Sequence, residues 1–107
     1  MRAQRSPRRN AMLSSDSTVV ASRNQVSCRL GAEAAILHVG SGVYYGLNPV
    51  GARVWALLQQ PVVVQRLRET LLAEYDVAPD RLESDLTDLL EDLAAEGLIE
   101  VVDEPAA

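Results

Sequence analysis

The hydrophobic pattern of this chain changes period part-way along. From Val26 the apolar and polar positions alternate, with Val26, Cys28 and Leu30 on one side and Ser27 and Arg29 on the other. That is the signature of a half-buried strand, and Gly31 ends it. A second strand is predicted over Ala34 to Val39. Gly40-Ser41-Gly42 offers the positive-φ positions of a tight hairpin turn, and Val43 to Leu47 returns as a third strand carrying two adjacent tyrosines. Three short strands in succession make a meander. Val19 and Val20 offer only a marginal strand ahead of it.

At Asn48-Pro49 the period becomes helical. Asn is a strong N-cap, and Pro is tolerated at the first helical position because its missing N–H is not needed there. A first helix is predicted over Pro49 to Gln59, with Val50, Val54, Leu57 and Leu58 at i, i+4, i+7 and i+8 and Trp55 beside them. Gln59-Gln60-Pro61 ends it. A second helix, Val62 to Tyr75, presents Val64, Leu67, Leu71 and Leu72, with Arg68 and Glu69 outside. Asp76 to Ala78 connects to a third, Pro79 to Ala95, whose stripe is Leu82, Leu86, Leu89, Leu90 and Leu93, and Gly97 is its stop. Leu98 to Val102 is extended and able to pack back or pair. The predicted class is α+β, a winged helix-turn-helix with an N-terminal three-stranded antiparallel sheet followed by three helices.

Composition adds scale. With 107 residues, 48% of them hydrophobic and 23% charged, the chain has the balance of one small globular domain. Residues 1–17 are expected to form a disordered Arg-rich tail, 18–102 the domain, and 103–107 a frayed end. Apolar runs such as Ala34 to Leu37 and Pro61 to Val64 fall far short of the roughly 20 residues of a membrane span. No signal peptide is evident and the single Cys28 cannot close an internal disulfide, so a cytoplasmic protein that does not engage membranes is expected.

Charge is segregated along the chain. All ten basic residues are Arg, and four of them (Arg2, Arg5, Arg8, Arg9) precede residue 10, leaving 6 Arg against 15 acids, a net of −9, on the remainder. Thirteen of those acids lie from Glu69 onward, where Arg81 is the only base. In a helix-turn-helix the second helix of the motif would face DNA, but here it carries Asp80, Glu83, Asp85, Asp88, Glu91, Asp92 and Glu96. Such a surface repels phosphate, so nucleic acid is not an expected partner and a DNA regulator is the weaker alternative.

Candidate chemistry is sparse. His38 and Cys28 sit on neighbouring predicted strands, so a contact between them is geometrically possible, yet no third orienting group is evident and no catalytic residues are assigned. No metal-ligand spacing occurs, and Gly40, Gly42 and Gly46 lie too far from a helix N-terminus to cradle phosphate, so neither metal nor cofactor is expected. What remains is the third strand, the last before the helices, which can offer an unpaired backbone edge to an incoming peptide. Gly46 carries no side chain where a second backbone could approach, while Tyr44 and Tyr45 either offer flat contact surfaces or simply cover the core on two faces.

The stretch Gly42-Val43-Tyr44-Tyr45-Gly46-Leu47-Asn48-Pro49-Val50-Gly51-Ala52-Arg53-Val54-Trp55 resembles the PqqD-like family. So do Leu57-Leu58, Leu71-Leu72-Ala73-Glu74-Tyr75-Asp76-Val77, and the Leu-rich last helix ending Glu96-Gly97-Leu98-Ile99; together the likeness covers about Val26 to Val101. Within the family, a free-standing chain with an N-terminal extension looks like the leader-recognition proteins, or RiPP recognition elements, of lasso peptide biosynthesis. The resemblance implies a non-enzymatic module that binds the leader segment of a ribosomally made precursor peptide as an added strand. It also implies the place: the backbone edge Val43, Tyr44, Tyr45, Gly46 and Leu47, faced by a helical wall of Asp85, Leu86, Leu89, Asp92 and Leu93 with Leu82 at the opening end. Apolar or aromatic leader residues are then expected in the cleft, with the helix acids favouring Lys or Arg nearby. The implied partners are the precursor leader peptide, a leader-cleaving cysteine protease and an ATP-dependent cyclase. A carrier for another modified peptide or a quinone-cofactor precursor is the alternative within the family. Two features depart from the pattern: Gln59-Gln60-Pro61 replaces the usual glycine-containing turn, and the Arg-rich extension has no counterpart in the compact domain.

Overall fold

The structure, a computed structural model, describes residues 13–102. Its elements run β1 (Thr18–Ala21), β2 (Gln25–Leu30), β3 (Glu33–His38), β4 (Tyr44–Leu47), α1 (Pro49–Leu57), β5 (Val62–Val63), α2 (Val64–Glu74), α3 (Pro79–Ala95) and β6 (Ile99–Val102). The expected winged helix-turn-helix is present: the antiparallel meander β2-β3-β4 precedes the three helices. A second three-stranded sheet, in the order β5-β1-β6, joins the two ends of the domain. Among the described residues no helix is long and apolar enough to cross a membrane.

The meander follows its sequence pattern on two strands. Ala34 and Ile36 of β3 and Leu47 of β4 are buried toward the helices, whereas Leu37 and Tyr44 look out on the other face. The β3–β4 turn is closed by His38 N–H donating to Val43 O at 2.9 Å and Gly42 N–H donating to His38 O at 2.8 Å. Of its two glycines only Gly42 has a positive φ, +76°, because one left-handed residue suffices to return the chain into β4.

β2 departs from expectation. Instead of being half-buried it has no buried residue, and Val26 and Leu30 are 60% and 56% exposed. The physical reason is coverage: α1 packs on β3 and β4, so β2 overhangs the helical layer with solvent on both faces.

The second sheet was only partly legible. Val19, on what reads as a marginal strand, is fully buried in the central strand β1, paired with Val62 of β5 and Val101 of β6. Residues 62 and 63, which the apolar period assigns to the second helix, are instead a short strand, since β1 offers them a backbone partner. α2 therefore starts at Val64 without a capping side chain, and Ser17 O accepts from Val64 N–H at 2.9 Å while Ser15 O accepts from Gln65 N–H at 3.0 Å. Residues 13–17, expected in the tail, are thereby tied to the domain, and Leu13 packs against the core. The remaining tail residues 1–12, and 103–107, lie outside the described residues.

α1 begins as its sequence signals. Asn48 Oδ1 accepts from Gly51 N–H at 2.8 Å and Pro49 occupies the first turn, although the helix ends at Leu57, two residues short of the expected Gln59. α3 spans the predicted residues. It closes in a Schellman motif, with Gly97 at φ +74°, Gly97 N–H on Ala94 O at 3.0 Å and Leu98 N–H on Leu93 O at 2.9 Å. The core gathers Ile36, Leu58, Leu67, Leu71, Leu90, Leu93 and Leu98, all essentially solvent-free, each contributing roughly 1.5–3 kcal/mol of apolar burial.

Candidate functional site

α1 packs against β3 and β4, while α3 packs against α2 and β6, so β4 and α3 stand as facing walls of a groove. The backbone of β4 has a defined direction there. In an antiparallel ladder hydrogen-bonded pairs alternate with non-bonded ones, and His38–Val43 is a bonded pair, as its 2.9 Å contact shows. Ile36–Tyr45 and Ala34–Leu47 are then bonded too, so Tyr44 and Gly46 aim their N–H and C=O groups away from β3. Among the described residues no strand pairs with that edge. Gly46 places no side chain beside that edge.

The groove encloses about 650 Å³. Its β4 wall is Tyr45, Gly46 and Leu47; Asn48, Val50, Gly51 and Val54 carry it onto α1; Leu71, Val77 and Ala78 close one end; and α3 supplies Arg81, Leu82, Asp85, Leu86 and Leu89. The α3 set follows the i, i+3/i+4, i+7 spacing of one helical face. Leu82 and Leu86 are buried in the floor, Leu89 is half-buried, and Asp85 is exposed at the rim.

Seven of the residues singled out from sequence meet in this groove: Tyr45, Gly46, Leu47, Leu82, Asp85, Leu86 and Leu89. Four do not line it. Tyr44 is 67% exposed on the opposite face of the sheet and contributes backbone only, and Val43 precedes β4 in the turn. Leu93 is wholly buried in the core and Asp92, half-buried, lies beside it, a turn past the groove. Sequence reasoning missed Asn48, Val50, Gly51, Val54, Leu71, Val77, Ala78 and Arg81 as groove residues. Val54 and Leu71 were legible as apolar stripe positions, but their stripes face both core and groove, and the Val77-Ala78 connector carries no periodic signal at all.

The electrostatics differ from the sequence total. Of the acids on α3 only Asp85 lines the groove, and Arg81 Nε lies 3.5 Å from its Oδ2. Both side chains are well exposed, so this pair is weak and its members are free to re-partner. A stronger pair braces the helices behind: Arg53 Nε and Nη2 donate to the two carboxylate oxygens of Glu74 at 2.8 and 2.7 Å, linking α1 to the end of α2. The guanidinium hydrogen bonds hold the Glu74 carboxyl below its ordinary range and raise Arg53 above its own.

Among the described residues Cys28 and His38 are not brought together. By strand parity Cys28 lies on the outer face of the meander and His38 on the inner. The His38 ring instead serves its turn, Nδ1 accepting from Ser41 N–H at 3.1 Å with Ser41 Oγ at 3.0 Å. Among the described residues no group of three or more His, Cys, Asp or Glu is placed to hold a metal ion.

Comparison with known proteins matches residues 33–99 to the family of coenzyme PQQ synthesis protein D, PqqD, a span that includes both walls of the groove. The chain belongs to the PqqD family. This PqqD domain is similar to the solved structure of TbiB1 in complex with the TbiA(beta) leader peptide, at 34% identity and a TM-score of 0.71, over 79% of this chain and 99% of that one. It also shares its fold with part of MibB, a tRNA-dependent lantibiotic dehydratase from Microbispora sp. 107891, at 24% identity and a TM-score of 0.60, over 85% of this chain and 9% of that one. No curated protein matches the chain.

Proposed function

We propose that this PqqD-family protein is a RiPP recognition element, which binds the leader of a ribosomally made precursor peptide as a strand added to β4 and catalyses no reaction itself. The observation that carries the reading is the combination of an open backbone edge at Tyr44 and Gly46 with an apolar groove immediately beside it. Backbone pairing to such an edge supplies sequence-tolerant affinity. Alternate side chains of the added strand turn into the groove over Leu47, Val54, Leu82, Leu86 and Leu89, which select apolar or aromatic residues. The likeness to TbiB1, solved with a leader peptide, supports the same reading.

The finer assignment is a lasso peptide leader, presented to a leader-cleaving cysteine protease and an ATP-dependent cyclase. It rests on the resemblance of this chain's motifs to those of lasso recognition proteins. A second reading, a carrier for a quinone-cofactor precursor peptide, is favoured by the family match to a coenzyme PQQ synthesis protein.

The test is calorimetric titration with the leader encoded by the nearest short open reading frame, against wild type and Gly46→Pro. Gly46 directs its N–H outward, so proline deletes a donor to the incoming strand and blocks its approach while sparing the β3–β4 ladder. Loss of binding in a variant that still unfolds cooperatively is the expected result. Wild-type affinity in folded Gly46→Pro would reject strand addition at β4. A lasso leader that binds where a PQQ-type precursor does not decides between the two readings.

A further inference from the structure

We infer that the outer edge of β2 pairs with the β2 edge of a second copy of this chain, joining two domains about a two-fold axis into one six-stranded sheet. Backbone direction is the first observation. Val39 N–H donates to Asn24 O at 3.0 Å, so the bonded pairs continue as Leu37–Val26, Ala35–Cys28 and Glu33–Leu30. Gln25, Ser27 and Arg29 therefore direct their amide groups away from β3, and among the described residues no strand takes them up. Natural edges are blunted by proline, bulges or clustered charge, whereas this one has six residues in unbroken register, no proline, and Arg29 as its one charge.

Side chains give a second observation. Val26 and Leu30 are more than half exposed on the outer face of the meander, in line with exposed Leu37 and Tyr44, and Glu33 is the one charged residue of the three strands on that face. An apolar surface with a single charge, continuous with an open edge, is the composition of an interface core.

Charge selects the occupant. Past residue 9 the chain carries 6 Arg against 15 acids, so two copies repel one another over most of their surface. Residues 25–47 hold one Arg and one Glu, a net of zero, so an isologous contact through this sheet brings together no surplus of acids. Register follows from the same groups. Antiparallel pairing centred on Cys28 sets Ser27 opposite Arg29 of the second copy, both with outward amides, and Val26 opposite Leu30. A shift of one residue pair that centres on Arg29 would oppose two guanidinium groups. Centred on Cys28, the two thiols face each other in a non-bonded pair with Cα atoms about 4.5 Å apart, within the span of a disulfide. β4 remains at each end of the joined sheet, so this contact is independent of the peptide edge.

Sedimentation equilibrium of the full chain under reducing conditions, over a range of concentrations, reads the contact directly. The expected result is a mass rising to twice that of the monomer. Ser27→Pro, which removes an outward donor, stays monomeric, and Val26→Lys, which alters only an exposed side chain, weakens association by at least about tenfold. Both variants retain cooperative unfolding. Diamide, which takes two electrons and two protons from the paired thiols, converts the wild-type dimer to a disulfide-linked one, and Ser27→Pro resists. A wild type that is monomeric at every concentration, or variants that associate like wild type, overturns the proposal. A dimer that diamide does not cross-link overturns the Cys28-centred register.

Discussion

Leu89 and Leu93 lie one helical turn apart on α3 and belong to the same apolar stripe, yet they have different work. Leu93 has no solvent exposure and touches only core, whereas Leu89 is half-buried and forms part of the groove wall. Truncating Leu93 to Ala leaves a cavity that the surrounding core closes only partly, so Leu93→Ala should lower unfolding stability by about 2–5 kcal/mol in a denaturant titration. Leu89→Asp instead puts a charge where an added strand would lay an apolar side chain. It should reduce leader affinity by about tenfold or more while costing about 1 kcal/mol of stability, measured by titration and denaturation of the same sample. Collapse of cooperative unfolding in Leu89→Asp would assign that side chain to the core. The stripe was legible from leucine spacing, with Leu89 at its edge on the groove side, but the spacing does not say which of Leu82, Leu86 and Leu93 lines the groove.

At the scale of elements, the groove depends on α1 and α2 being held together behind it. Arg53 and Glu74 make that brace through two charge-assisted hydrogen bonds. Because the folded-state pKa of Glu74 is lowered, its stabilising contribution is fully present above the ordinary carboxyl range and disappears as pH falls through the lowered value. Thermal melts of wild type and Glu74→Gln should therefore differ at neutral pH and converge as pH falls through that lowered value. The difference is small at any pH, since both side chains are more than a third exposed. Nothing in the sequence pairs these residues, which are 21 positions apart; only the packing of α1 on α2 does.

Across the whole molecule, the acids of α3 and the groove occupy separate surfaces. The helix is anionic on its solvent side, but the groove holds one Asp offset by one Arg. Peptide binding there should respond mildly to salt. Raising salt from about 50 to 200 mM should change leader affinity by less than about threefold, whereas a protein contacting 6–10 phosphates would lose about 10³–10⁵ in affinity to DNA. Calorimetry with leader peptide and with duplex DNA at the two salt concentrations separates a peptide module from a DNA regulator on one instrument.

Local chemistry was enough to specify much of this protein. The meander, the Asn48 cap, the span of α3 and its Gly97 stop depend on period, side-chain oxygen and backbone freedom within a few residues, and all are present where the sequence predicts them. The β4 edge was legible for the same reason, as the last strand before the helices. The tertiary structure decided what each face meets. It left β2 open to solvent on both sides, put the marginal Val19 strand at the centre of a second sheet, turned residues 62 and 63 into a strand, and divided the α3 leucines between core and groove. A sequence pattern states that a face is apolar, but burial is a relation between two faces, and the second face is brought opposite the first only when distant elements pack.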